Sequence, residues 1–149
     1  MKHIGMVGSS KAGHNDDGAR QAIHQELQKF DPKDTVIVSG GGKGVDTIVA
    51  QIATELGFPV TEFKATGYGW GEYKKRNLQI AEKSDRVISF ALPFGSTKGV
   101  PKCYHCANAN RDDNHEKTAG CWTGKELSLI HISEPTRPLY ISYAVFCLK

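Results

Sequence analysis

Three times in the first ninety residues a short apolar run breaks into a glycine-rich stretch, and an amphipathic segment of helical length follows. The clearest case is Thr35-Val36-Ile37-Val38, which runs into Ser39-Gly40-Gly41-Gly42-Lys43-Gly44. Beyond it, Val45, Ile48, Val49, Ile52, Ala53 and Leu56 recur at i, i+3, i+4 and i+7, and Gly57 stops the pattern. Strands that alternate with helices of this length predict βαβ units and a parallel sheet. Right-handed crossovers then put helices on both faces. The fold class read from the sequence is therefore α/β, a Rossmann-like parallel sheet with helices on both faces.

The remaining elements follow the same logic. His3 to Val7 reads as a first strand, and Asn15 or Asp16 can cap a helix with Ala19, Ile23, Leu27 and Phe30 on its apolar face. Pro59 to Phe63 reads as a third strand, Glu72 to Lys83 as a helix, and Arg86 to Phe90 as a fourth strand. From Ala91 to Ala119 the alternation gives way to a polar stretch that holds cysteines and histidines.

Open parallel sheets bind ligands outside the carboxyl ends of their strands. Ser39 to Asp46 lies at such an end. Gly40, Gly41, Gly42 and Gly44 allow a backbone to approach an anion closely, Lys43 adds a charge, and the next helix offers unpaired N–H groups. The spacing is neither that of a Walker loop nor Gly-x-Gly-x-x-Gly. A tight turn with no ligand is the plainer reading. The loop after the first strand, Gly8-Ser9-Ser10-Lys11-Ala12-Gly13-His14, holds the equivalent position. A third loop carries Tyr68, Trp70 and Tyr73. These rings suit stacking on a base, and Trp70 suits core packing equally.

Ser39 to Asp46 resembles the Gly-Gly-x-x-Gly-x-Asp signature of the SLOG superfamily, the Rossmannoid proteins related to DprA and the LOG enzymes. Tyr73-Lys74-Lys75-Arg76-Asn77 resembles a second signature in its small phage and bacterial branch, so that the likeness runs from Ile4 to Phe90. The resemblance implies a nucleotide or nucleotide-derived signalling ligand near Gly8, Ser9, Gly40, Gly41, Gly42 and Gly44, with Arg76 and Asn77 at the rim. For a phage protein it implies a sensor or sponge of host immune signals, and pairing of subunits into a homo-oligomer accords with it. Relatives that cleave nucleotide N-glycosidic bonds carry a glutamate pair after Pro-Gly-Gly. Here Ser39 replaces the proline and Asp46-Thr47 follows the glycines, while Ser10 stands where many relatives have arginine. Asp46 is thus either the water-activating carboxylate of a nucleoside-monophosphate phosphoribohydrolase or a helix N-cap. A non-catalytic binder is the preferred reading.

A second constellation is C-x2-C-x8-H-x5-C: Cys103, Cys106, His115 and Cys121, four ligands within 19 residues. Two thiolates two residues apart, a histidine and a third thiolate suit one tetrahedral Zn²⁺ in a structural role. His105 competes as a ligand, and free thiols or a redox pair are the other readings. Asp112, Asp113 and Glu116 beside the site disfavour a zinc knuckle for nucleic acid.

A net charge of +3 with no basic stripe makes nucleic acid an unexpected partner and a DprA-like DNA accessory role the weakest alternative. No apolar run is long enough to span a bilayer and no secretory leader is apparent, so a cytoplasmic protein of a bacterial host cell is expected. Residues 127–137 and 141–149 resemble translated sequencing-library adapters. The expected domain is therefore residues 1–126, with a zinc-type insertion over about 94–121 and an adapter-derived tail over 127–149. Leu139 to Leu148 is nonetheless rich in β-formers and able to pair as a substitute edge strand.

Overall fold

The computed structural model describes residues 1–8, 17–42, 44–65, 67, 69–92, 94–95, 98–104, 115–118, 120–123, 126 and 143–147, the last five as backbone alone. Its elements are β1 (Lys2–Gly8), α1 (Asp17–Leu27), β2 (Thr35–Ser39), α2 (Val45–Glu55), β3 (Val60–Glu62), α3 (Trp70–Lys83), β4 (Arg86–Ala91) and β5 (Tyr143–Cys147). The sheet has the order β3-β2-β1-β4-β5, and every neighbouring pair is parallel.

The alternation of side chains along each strand sorts the core into two layers. Ile4, Met6, Ile37, Ile88 and Phe90 point to one face, where α1 supplies Ala19, Ile23 and Leu27, and α2 supplies Val45, Ile48, Val49, Ile52 and Ala53. Val7, Val38 and Val87 point to the other face and meet Ile80 and Ala81 of α3. Chain direction explains the division. From β1 to β3 the chain steps one way along the sheet, and right-handed crossovers place α1 and α2 together. From β3 it steps back past β2 and β1 to β4, which carries α3 to the opposite face. Gly5 lets α3 approach, since a Cβ there would lie 2.7 Å from Ser84 Oγ and 3.3 Å from Ile80 Cγ2.

α2 ends in a Schellman motif. Gly57, at φ 86°, donates to Thr54 O, and Phe58 donates to Ala53 O and buries its ring. The expected helix boundaries shift by a residue or two: α3 starts at Trp70, and Phe30 packs against the core from beyond the end of α1. Beside β4, residues 101–103 and 115–117 form a small antiparallel ladder. Cys103 N donates to His115 O (3.0 Å), Lys117 N to Pro101 O (3.0 Å), and Glu116 N to Leu92 O (2.8 Å).

The tail enters the sheet as expected for its composition. Val87 to Ala91 of β4 are in register with Tyr143 to Cys147. The rest of the 127–149 segment lies outside the described residues.

Candidate functional site

Between β1 and β4 the direction of chain stepping reverses, which makes their carboxyl ends the switch point of the sheet, the usual ligand crevice of open α/β folds. Two constellations lie at that end: the loop between β2 and α2, and the segments that carry the Cys and His residues.

The β2–α2 loop is held from below by one arginine. Arg76 Nη1 of α3 donates to Gly40 O at 2.7 Å and lies 3.9 Å from Asp46 Oδ2, while its Nε donates to Asn77 Oδ1 at 2.7 Å. The Gly42 amide donates to Asp46 Oδ2 (3.3 Å), and Thr47 Oγ1 donates to Gly42 O (2.7 Å). The glycines are explained mainly by these neighbours. A Cβ on Gly40 would sit 2.6 Å from Arg76 Nη1 and 2.8 Å from Asp46 Oδ2, and one on Gly42 would sit 3.1 Å from Asp46 Oδ2. Gly41, at φ 65°, faces Lys64 and Glu62. The room left by the missing side chains at Gly40 and Gly42 is thus filled from within the protein.

Asp46 is not the helix N-cap. Gly44 (φ 74°) holds that place without a side-chain cap bond, and Asp46 sits two residues inside α2 with its carboxylate turned back onto the loop. Burial raises its pKa to about 6, against the lowering pull of Arg76 and the Gly42 amide, and Glu62 adds to the rise. Asp46 is 7% exposed and Asn77 3%. Asp46 Oδ1 and Asn77 Nδ2 are buried and find no hydrogen-bond partner among the described residues.

Gly8 ends β1 at the same end of the sheet, where a Cβ would run into Phe90 O of β4. Ser9, Ser10, Lys11 and Lys43 lie outside the described residues. Trp70 is not a core residue. It is 50% exposed and meets Trp122 edge to face, with centroids 5.2 Å apart.

Of the four expected metal ligands, Cys103, His115 and Cys121 come together and Cys106 lies outside the described residues. The donor atoms of the three lie within 4.8 Å of one another, and Cys121 Sγ is 3.4 Å from His115 Nε2. A tetrahedral ion with bonds of about 2.0–2.3 Å requires donor separations of roughly 3.5–3.8 Å, so the three are positioned to bind a metal ion. All three are buried, at 2%, 1% and 0% exposure, which suits a closed structural site. The ladder of residues 101–103 with 115–117 brings the first two ligands together. Cys121 arrives on a helical turn, residues 120–123, and its Sγ lies 3.4 Å from Ser89 Oγ of β4.

Sequence reasoning missed Ser89, Gly120 and Trp122. Trp122 adjoins an expected metal ligand, but no spacing rule links it to Trp70, which lies in a different element.

Fold and site together define a Rossmann-like α/β protein with a glycine-rich loop braced by Arg76 and a Cys/His cluster beside the switch point. No protein-family model matches the chain, and no curated protein matches it. Similar solved structures include the X-ray structure of TM1055, at 21% identity over 61% of this chain and 61% of that one, TM-score 0.46. They also include DNA processing protein A from Helicobacter pylori, at 18% identity over 64% of this chain and 56% of that one, TM-score 0.43, described for its single-stranded DNA binding mode. The chain spans about three fifths of the length of each of these structures.

Proposed function

We propose that the chain binds a nucleotide or nucleotide-derived signalling molecule at the carboxyl ends of β1 and β2, and that Cys103, Cys106, His115 and Cys121 hold a structural zinc ion. The observation that carries the ligand reading is a pair of partnerless buried atoms: Asp46 Oδ1, on the carboxylate beside Gly40 and Gly42, and Asn77 Nδ2, on the amide that accepts from Arg76. A buried polar group without a partner is costly, and native proteins rarely keep one without use. A carboxylate oxygen suits a ribose hydroxyl as donor, and an amide N–H suits a phosphate or carbonyl oxygen. The N-terminus of α2 and Lys43 supply the positive end of the site. In a phage-infected cell such a binder would act as a sensor or sponge for nucleotide immune signals.

The test is to incubate the purified protein with mono-, di- and cyclic nucleotides and ADP-ribose derivatives, wash it, denature it and identify what is released by mass spectrometry. An intact nucleotide, together with a ligand-dependent rise in Tm, supports the reading. Stabilisation is about 2.7 kcal/mol at ligand one hundredfold above Kd. No released nucleotide and no Tm shift across the panel overturns it.

One observation favours a second reading. An Asp46 pKa of about 6 is near what a general base needs at neutral pH. On this reading Asp46 activates water against the N-glycosidic bond of a nucleoside monophosphate. Free base and ribose phosphate would then be released, and Asp46→Asn would keep binding while losing that release.

For the metal, two thiolates with an imidazole are a zinc donor set. Elemental analysis of protein purified under reductant is expected to give about one zinc per chain. A metal-free protein would end this reading.

A further inference from the structure

The chain has two tryptophans, and they form one pair. Trp70 opens α3, and Trp122 directly follows the metal-type ligand Cys121, their planes inclined at 77°. Lys74 of α3 sits 5.9 Å from the centre of the Trp122 ring. On the other side of Cys121, Gly120 is pressed onto the sheet. A Cβ there would lie 2.7 Å from Ser89 Oγ, 3.1 Å from Val7 Cγ2 and 3.2 Å from the Gly8 α-carbon.

Three consecutive residues therefore link three places. Gly120 touches the carboxyl ends of β1 and β4, Cys121 joins the metal-type cluster, and Trp122 reaches the start of α3. Val7 belongs to the sheet face that α3 covers, so residues 120–122 extend that layer over the switch point. The contacts of this segment with Ser89 and Trp70 include a thiol–hydroxyl contact and an aromatic edge, each weak beside a metal–thiolate bond.

We infer that a metal ion on Cys103, His115 and Cys121 builds one wall of the ligand site: it fixes Gly120 against Gly8 and Trp122 against Trp70, and the tryptophan pair forms an aromatic surface for a planar base. The inference rests on both readings proposed above. A base has a stacking surface there, with its phosphates directed to the glycine loops. Half-exposed Trp70 keeps ring area available for that contact.

Because both indoles sit in this pair, tryptophan emission, excited at the red edge where the five tyrosines do not absorb, reports on the wall. The metal content of the full-length protein is measured first, the ion is stripped with a chelator under reductant, and Zn²⁺ is titrated back while emission and far-UV circular dichroism are followed. Stripping is expected to shift the emission to the red and Zn²⁺ to reverse it, and in Trp122→Ala the remaining Trp70 should no longer respond. A bound ion whose removal leaves wild-type emission unchanged overturns the inference and leaves the metal reading standing. A chain that binds no ion overturns both.

If stripping unfolds the chain, the metal-loaded Trp122→Ala protein still tests the wall. Its Kd for the nucleotide recovered by mass spectrometry should be about tenfold weaker, the size of one base–aromatic stack. An unchanged Kd removes the wall from the site. Recovery of no nucleotide defeats the ligand reading and, with it, the base contact, while the fluorescence arm still reports whether the metal sets the tryptophan pair.

Discussion

Asp46 shows how one buried carboxylate can set the pH response of a loop. Its pKa rises from 3.8 to about 6 on folding, so the folded chain takes up a proton between those values and loses stability as pH rises through them. The penalty is fully present above about pH 6 and absent below about pH 4. Two pKa units correspond to at most about 3 kcal/mol. Asp46→Asn keeps an acceptor for the Gly42 amide and has no charge to bury. It is expected to melt several degrees above wild type at pH 7, with the difference vanishing towards pH 4 in paired thermal scans; a difference that does not change with pH would contradict this. Arg76 works in the opposite sense. Arg76→Ala removes the donor to Gly40 O and leaves Asp46 without its cation, for an expected loss of about 1–3 kcal/mol by urea unfolding at pH 7. Arg76→Lys should restore only part of it, since a single ammonium cannot reproduce the planar geometry that reaches Gly40 and Asn77 together. Neither role could be read from the motif. Asp46 has the residue type of an N-cap, yet it lies inside the first turn of α2, where its carboxylate is turned back onto the loop to accept from the Gly42 amide.

At the level of elements, most of the fold was legible because periodicity records burial directly. Val45, Ile48, Val49, Ile52 and Ala53 of α2 are all buried, and the apolar runs of β1 and β2, with that of β4 broken only by Ser89, mark strands covered on both faces. The helix stop at Gly57 was legible too, because its φ of 86° is open to few other residues. Gly57→Ala is expected to cost about 1 kcal/mol, measured by chemical unfolding. The meeting of Arg76 with Gly40, or of Trp122 with Trp70, left no local pattern, since such contacts are made by topology. The metal-type cluster falls between these cases. Its residue types announced it, whereas the ladder that joins Cys103 to His115 did not show in the sequence. β5 extends the sheet beyond β4, whose Val87, Ile88 and Phe90 are buried. Removing residues 143–149 should lower Tm and promote concentration-dependent association visible by light scattering, because the β4 edge would stand unpaired. A truncated chain as stable and monomeric as the full one would show that β5 contributes nothing.

For the molecule as a whole, the sheet and the Cys/His cluster are coupled through Gly120 and Ser89, so loss of metal should be felt globally. Chelation under reductant is expected to lower Tm by roughly 10 °C or more, with recovery on adding Zn²⁺. No change on chelation would confine the cluster to its own loop. Among the described residues no helix is long and apolar enough to cross a membrane. The parallel pairing of β4 with β5 has one more consequence. The ladder is made of backbone amides and carbonyls, and the segment that fills the slot beside β4 is five residues long, Tyr143 to Cys147. That makes the slot a natural place to divide the polypeptide: a shortened chain and a separately supplied peptide of the β5 sequence should reassemble. The domain thereby lends itself to fragment complementation, in which recovery of the folded state reports that two pieces have met.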